Sequence, residues 1–333
     1  MESTPPLESI CNKFPAKLHQ LEERNKPSEE SLNTTCRKDC QLPLIDFSNL
    51  DHKDYRNIET CKRRISDAAK EWGFFQIINH GISTEVLIRM QSEQRKLFDK
   101  PFEEKANHKI SSSSPSCYRW GNPTAMSLQD FSWSEAFQLP LCDISSLSSS
   151  GVLQEFSEQV SKIAKRIAET LAESLGCNST LFAENYGENS SYVRLNRYPP
   201  CPNFRKAYGL VPHTDSDFLT VLYQDQLGGL QLLKNGEWIS VNPNQDALIV
   251  NVGDLFEAWS NGVYKSITHK VVTNPAAERL SIAYFLCPTY ETVIQSYCKP
   301  SLYREFSFGE YRKQIQKDVE STRIKFGLSR FLK

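Results

Sequence analysis

Along the chain, the spacing of apolar side chains changes character near residue 190. Before that point Ile58, Cys61, Ile65, Ala68, Ala69 and Trp72 recur at the three- and four-residue steps of an amphipathic helix, which Gly73 ends. Phe74-Phe75-Gln76-Ile77-Ile78 is an apolar run short enough to predict a buried strand, and Leu42–Phe47, with Pro43 near its start, another. Val86, Leu87, Met90, Leu97 and Phe98 predict a second helix. Phe156, Val160, Ile163, Ile167, Leu171 and Leu175 predict a long third one. From Tyr192 the period becomes two. Tyr192–Tyr198, Phe218–Gln224, Leu230–Leu233, Glu237–Val241, Ala247–Val252, Lys265–Val272 and Leu280–Leu286 read as strands, with Asn235-Gly236 as a hairpin turn. Phe308 to about Lys325 is again helical in pattern.

Many short strands joined by tight turns predict a mainly β protein with flanking helices, built on a jelly-roll (double-stranded β-helix) core. The expected divisions are a flexible, polar tail over 1–40, an N-terminal region of helices and short strands over 41–188, the jelly-roll core over 189–290 and a C-terminal helical segment over 291–333. Two serine-rich stretches, Ser111–Ser114 and Ser145–Ser150, read as loops around an aromatic-rich segment holding Tyr118-Arg119-Trp120-Gly121 and Trp133-Ser134-Glu135-Ala136-Phe137. No internal repeat is present.

Composition narrows the function classes. In 333 residues, 39% hydrophobic and 24% charged side chains are enough to bury a substantial core. A net charge of −1 gives no global field to recruit nucleic acid or an anionic membrane. No apolar stretch reaches the roughly 18 residues of a membrane span, and the first residues lack the basic start and apolar run of a secretory signal. Ten scattered cysteines without paired metal spacing fit ordinary thiols of a reducing compartment. The expected location is the cytosol, with the nucleus also open to the protein.

Chemistry concentrates in a few positions. His213-Thr214-Asp215 is followed by 53 other residues and His269, and ten positions later by Arg279-Leu280-Ser281. Two imidazoles and one carboxylate with open coordination positions suit a non-haem Fe(II) oxygenase, although zinc also accepts such a set. Arg279 and Ser281 suit a carboxylate held by a guanidinium fork and a hydroxyl. In a strand, residues two apart share a face. Arg279, Ser281, Ala283 and Phe285 therefore oppose Leu280, Ile282 and Tyr284, while Tyr192, Arg194, Asn196 and Tyr198 oppose Val193 and Leu195. Two polar faces near a ligand triad predict a cavity, and an arginine enclosed there needs an anion. The other histidines, His19, His52, His80 and His108, have no comparable companion.

These motifs, with Asn196-Arg197-Tyr198-Pro199-Pro200-Cys201, Leu42-Pro43-Leu44-Ile45-Asp46 and Trp72-Gly73-Phe74-Phe75-Gln76-Ile77-Ile78-Asn79-His80-Gly81, resemble the plant 2-oxoglutarate- and Fe(II)-dependent dioxygenases over roughly residues 40–330. Tyr118–Gly121, Trp133–Phe137 and His213–Thr220 are most similar to the gibberellin 2-oxidases, in particular the subgroup acting on C20 precursors. The resemblance implies that His213, Asp215 and His269 bind iron. It further implies that Arg279 and Ser281 hold the distal carboxylate of 2-oxoglutarate, helped by Tyr198 and Asn196, and that His80 is structural. It implies O₂ as oxidant, ascorbate as reductant, and coupling of 2-oxoglutarate decarboxylation to hydroxylation of a substrate C–H.

The expected substrate is a carboxylated diterpenoid in a largely apolar pocket. Phe285 is placed against it, and Arg194 and Arg119 are competing anchors for its carboxylate. Neither nucleic acid nor membrane is an expected partner, and the motifs name no protein partner. Oxidation at another gibberellin carbon, or of another plant acid or phenolic, remains an alternative, because family membership does not fix regiochemistry. A non-catalytic receptor on the same fold and a zinc hydrolase are further readings.

Overall fold

In a computed structural model of the chain, residues 39–108, 117–122, 130–146, 151–177, 186–201 and 207–333 are described, together with Ser3, Pro5, Ala125 and Ser127. In chain order the principal elements are β1 (Leu44–Asp46), α1 (Tyr55–Glu71), β2 (Phe74–Ile78), α2 (Thr84–Phe98), β3 (Tyr118–Trp120), β4 (Glu135–Pro140), α3 (Val152–Glu173) and β5 (Tyr192–Tyr198). There follow β6 (Tyr208–His213), β7 (Leu219–Gln224), β8 (Leu230–Lys234), β9 (Glu237–Val241), β10 (Leu248–Val252), β11 (His269–Val272), β12 (Arg279–Leu286) and α4 (Phe308–Thr322).

Local chemistry sets the helix ends. The Asp54 side chain accepts from Arg56 N at the start of α1, Ser83 from Val86 N at α2, and Ser307 from Glu310 N at α4. After α1, Gly73 takes φ +62°, and a Cβ there would lie 2.2 Å from Lys265 O. Only glycine allows the chain to pass directly from helix to buried strand at this point.

The strands form two facing sheets. The major sheet runs β1-β2-β10-β7-β12-β5-β4-β3, and the minor sheet runs Asp39–Cys40, β9, β8, β11, β6. β12 is buried along its whole length and lies between β5 and β7. Ser281 is paired with Asn196 on one side and Gln224 on the other. The expected alternation holds. Arg279, Ser281, Ala283 and Phe285 line the space between the sheets, while Leu280, Ile282 and Tyr284 are buried on the outer face. There Tyr284 Oη lies 3.0 Å from Ser161 Oγ of α3. Each such buried apolar side chain contributes about 1.5–3 kcal/mol. A one-residue slip would drive Arg279 under the helix and Leu280 into the cavity, so burial fixes the register.

Arg197, on that outer face of β5, pairs with Glu135 and Glu278. Glu135 also binds Lys105 at 2.6 Å, and Lys105 and Glu135 are both fully buried. Lys105 Nζ donates to Ser3 O at 2.7 Å, so part of the tail expected to be flexible touches this ionic network.

Several expectations need correction. The aromatic-rich segment supplies two strands, β3 and β4, that extend the major sheet. The expected strand from Lys265 begins only at His269, and the backbone before it is irregular. Asp39–Cys40, assigned to the tail, pairs in parallel with β9. The Ser111–Ser114 stretch lies outside the described residues, while Ser145 and Ser146 close a 3₁₀ turn over Leu141–Ser146. Among the described residues no helix is long and apolar enough to cross a membrane.

Candidate active site

Both candidate histidines sit on neighbouring strands of the minor sheet. His213 closes β6, His269 opens β11, and the two are register partners. Their ring centroids are 4.3 Å apart. His213 Nδ1 lies 2.7 Å from Val211 O, and His269 Nδ1 lies 3.0 Å from Ile267 O. A carbonyl only accepts, so each Nδ1 donates and each Nε2 is the ring nitrogen left facing Asp215.

Asp215 lies beyond the end of β6, which corrects the expectation that a shared strand face aims it beside His213. The turn does so instead. Its carbonyl accepts from Asp254 N at 2.9 Å, and its Oδ2 accepts from Thr220 Oγ1 at 2.6 Å and Asn251 Nδ2 at 2.8 Å. The carboxylate oxygens then stand 3.6 Å from His213 Nε2 and 3.8 Å from His269 Nε2. One ligand atom from each of the three residues lies within 4.8 Å of the others.

Burial, and then the neighbouring His269, push His213 down to about 3, which keeps it neutral and able to ligate. Burial opposes the charged form of Asp215. The two imidazoles and the bonds from Thr220 and Asn251 outweigh it and hold this carboxyl at about 2. Next to it, burial and the Asp215 charge push Asp217 well up. Thr220 has a single hydroxyl proton and stands 2.9 Å from Asp217 Oδ2.

Outside the turn, C-terminal residues brace this loop. Lys325 Nζ donates to Thr214 O at 2.7 Å and pairs with Asp254 Oδ2 at 2.8 Å, and Tyr311 Oη donates to that same oxygen.

Deeper in the cavity, which encloses about 210 Å³, lies Arg279. It is 3% exposed. Its Nη2 donates to Gln224 Oε1 at 2.7 Å, its Nη1 lies 3.4 Å from Ser281 Oγ, and the guanidinium stands 4.8 Å from the Tyr198 ring. Asn196 Nδ2 reaches Ser281 Oγ at 3.4 Å. Arg279 Nε and Gln224 Nε2 are buried with no hydrogen-bond partner. Among the described residues no carboxylate forms an ion pair with Arg279. An enclosed guanidinium without counter-charge is costly, and a carboxylate is its natural complement.

Arg194 and Phe285 also line the cavity, with Phe285 stacked on Tyr192 at 4.4 Å between centroids. Arg119 is exposed and does not line it. His80 lies elsewhere, its Nδ1 accepting from Ile82 N. Reading the sequence missed Thr220, Gln224, Asn251, Lys325 and Arg312. Thr220 and Gln224 had a signal, since both fall on the cavity face of an expected strand. Arg312, from a solvent-facing helix, had none.

Comparison with known proteins decides the family. The model of the 2OG-Fe(II) oxygenase superfamily matches residues 189–288, and that of the non-haem dioxygenase in morphine synthesis N-terminal region matches residues 42–143. The chain belongs to the 2OG-Fe(II) oxygenase superfamily. It is 51% identical to gibberellin 2-beta-dioxygenase 8 of Arabidopsis thaliana, over 90% of this chain and 89% of that one. It is 48% identical to gibberellin 2-beta-dioxygenase 6 of Oryza sativa subsp. japonica, over 88% and 85%. Among solved structures, JOX2 in complex with 2OG, Fe and JA superposes with TM-score 0.72 at 31% identity, over 91% of this chain and 96% of that one. The rice dioxygenase for auxin oxidation gives 0.73 at 29% identity, over 88% and 100%. As a 2OG-Fe(II) oxygenase the protein uses Fe(II) and 2-oxoglutarate. The donor set fits: two imidazoles and a carboxylate leave positions open, and the unpaired Arg279 and Gln224 groups are what a bound diacid would satisfy.

Proposed function

We propose that this protein 2β-hydroxylates gibberellins, with C20 precursors preferred, using Fe(II), 2-oxoglutarate and O₂. The observation that carries this reading is identity of 41–51% to four gibberellin 2-beta-dioxygenases over 88–100% of the chain.

In this reading His213, Asp215 and His269 hold the iron. Arg279 and Ser281 bind the far carboxylate of 2-oxoglutarate, with Tyr198 and Asn196 beside it. Bound together, iron and 2-oxoglutarate supply the oxidising power, releasing succinate and CO₂ as a substrate C–H is hydroxylated. The chain's own residues do the rest. The backbone carbonyls of Val211 and Ile267 accept from Nδ1 of each histidine and orient Nε2 toward the metal position. Thr220 and Asn251 fix the Asp215 rotamer, as outer partners of metal ligands do. Phe74, Leu210, Leu222 and Val271 keep the cavity wall apolar and limit water. The stacked Tyr192–Phe285 pair bounds the side on which the hydrocarbon skeleton lies, and Arg194 anchors a substrate carboxylate. Residues 189–290 serve as the catalytic core, while 41–188 and 291–333 wall it.

A product profile tests the reading. The enzyme is offered a C20 gibberellin acid, a C19 gibberellin and a flavanone, and products are identified by mass spectrometry and NMR. A 2β-hydroxylated gibberellin, formed fastest from the C20 acid, is the expected result. Oxidation at a different carbon, or preferential turnover of the flavanone, would overturn it.

A further inference from the structure

Two guanidinium groups line the cavity, and a third stands exposed on the same sheet face. Arg194 of β5 and Arg312 of α4 both line the cavity. Arg119 of β3 belongs to the same sheet face by register: it pairs with Ala136, Ala136 with Asn196, and Asn196 with Ser281, which lines the cavity. Residues directly opposed across strands point to the same side. Desolvation, and then the positive charges of Arg194 and Arg312, lower the Arg119 pKa, so each of those two groups is within electrostatic reach of Arg119.

Several other arginines are paired, Arg166 with Asp51, Arg197 with Glu135 and Glu278, and Arg330 with Asp318. Among the described residues none of Arg119, Arg194 and Arg312 forms an ion pair with a carboxylate. Arg194 Nε is moreover buried without a hydrogen-bond partner. Gathering like charges costs energy that a bound anion recovers. The floor of the cavity supplies no surplus negative charge. There the ferrous ion and Arg279 are balanced by Asp215 and dianionic 2-oxoglutarate. A single substrate carboxylate would leave two of the three guanidiniums uncompensated.

We propose that Arg119, Arg194 and Arg312 act together as one dianion-binding site, which selects substrates carrying two carboxylates over those carrying one. On this view Arg119 and Arg194 are not competing anchors but members of a set that Arg312 completes. The apolar body expected of the ligand rests on the hydroxylase reading above, while the charge selectivity rests on the arginines alone.

The test is calorimetric binding to the full chain loaded with Fe(II) and 2-oxoglutarate, kept anaerobic so that nothing turns over. The probes are a diterpenoid dicarboxylic acid and its two monomethyl esters. Each ester is expected to bind about ten- to a hundredfold more weakly than the diacid, the range of one charge-assisted hydrogen bond. Arg312→Gln, at an exposed position, is expected to weaken the diacid at least about tenfold. It is also expected to bring one ester level with the diacid, with 2-oxoglutarate affinity unchanged. Diacid and esters binding alike, no diacid binding, or unaltered diacid affinity in both Arg312→Gln and Arg119→Gln would overturn the proposal. A persisting diacid–ester gap in an enzyme whose product is not a 2β-hydroxylated gibberellin would refute the proposed reaction and leave the dianion site standing.

Discussion

The two ends of the cavity are built in opposite ways. The floor, with His213, His269, Arg279 and Ser281, stands on central strands whose alternate faces are buried, so each functional side chain is held by register and by backbone carbonyls. The proposed anion site draws Arg119, Arg194 and Arg312 from an edge strand, an inner strand and an outer helix, and none of them pairs with a carboxylate among the described residues. A site for chemistry common to a superfamily is thus placed where one slip is forbidden. The proposed site for choosing the substrate lies on an edge strand, an inner strand and an outer helix, where register constrains side chains less.

Substitutions at the two ends should separate these roles. The largest effect is expected for His269→Ala, which removes one of the three proposed iron ligands. Turnover should vanish, and ferrous affinity should fall by more than the roughly 10–100-fold that an outer partner costs, measured by anaerobic iron titration. Arg279→Gln should raise the KM for 2-oxoglutarate by about 2–5 kcal/mol while iron affinity stays normal; an unchanged KM would place the co-substrate elsewhere.

Asn251→Ala removes a donor to Asp215 and should weaken iron binding about 10–100-fold without altering the KM for 2-oxoglutarate. Lys325→Met unties the C-terminal segment from Thr214, at about 1 kcal/mol for the lost hydrogen bonding, or roughly fivefold in iron affinity. The smallest effect belongs to the mouth side. Phe285→Leu breaks the stack on Tyr192 at about 0.5–1.5 kcal/mol. It should change the ratio of products more than the total rate, as read by chromatography of the hydroxylated gibberellins.

The same contrast explains what could be read from the chain. The period-two faces of Tyr192–Tyr198 and Arg279–Leu286 announce cavity and cover directly, because burial makes alternation obligatory on central strands. Gln224 and Thr220 were equally legible on their strand but carry no charge to draw attention. Asp215 does stand beside the two histidines, but a backbone bond from Asp254 N and two side-chain donors aim it, not strand alternation. Strands β3 and β4 were hidden because Arg119 and Trp120 do not alternate cleanly, and their pairing with distant β5 supplies what local pattern lacks. Arg312 could not be placed at all, since nothing local tells which side of α4 meets the cavity.

The most direct measurement is succinate formation after O₂ is admitted to the anaerobic protein with Fe(II) and 2-oxoglutarate, with and without a C20 gibberellin acid. Succinate strongly stimulated by the acid, and matched one to one by 2β-hydroxylated product, is the predicted result. Succinate that forms at the same rate without the acid, or none with iron bound, would contradict a floor and mouth that work together on a gibberellin.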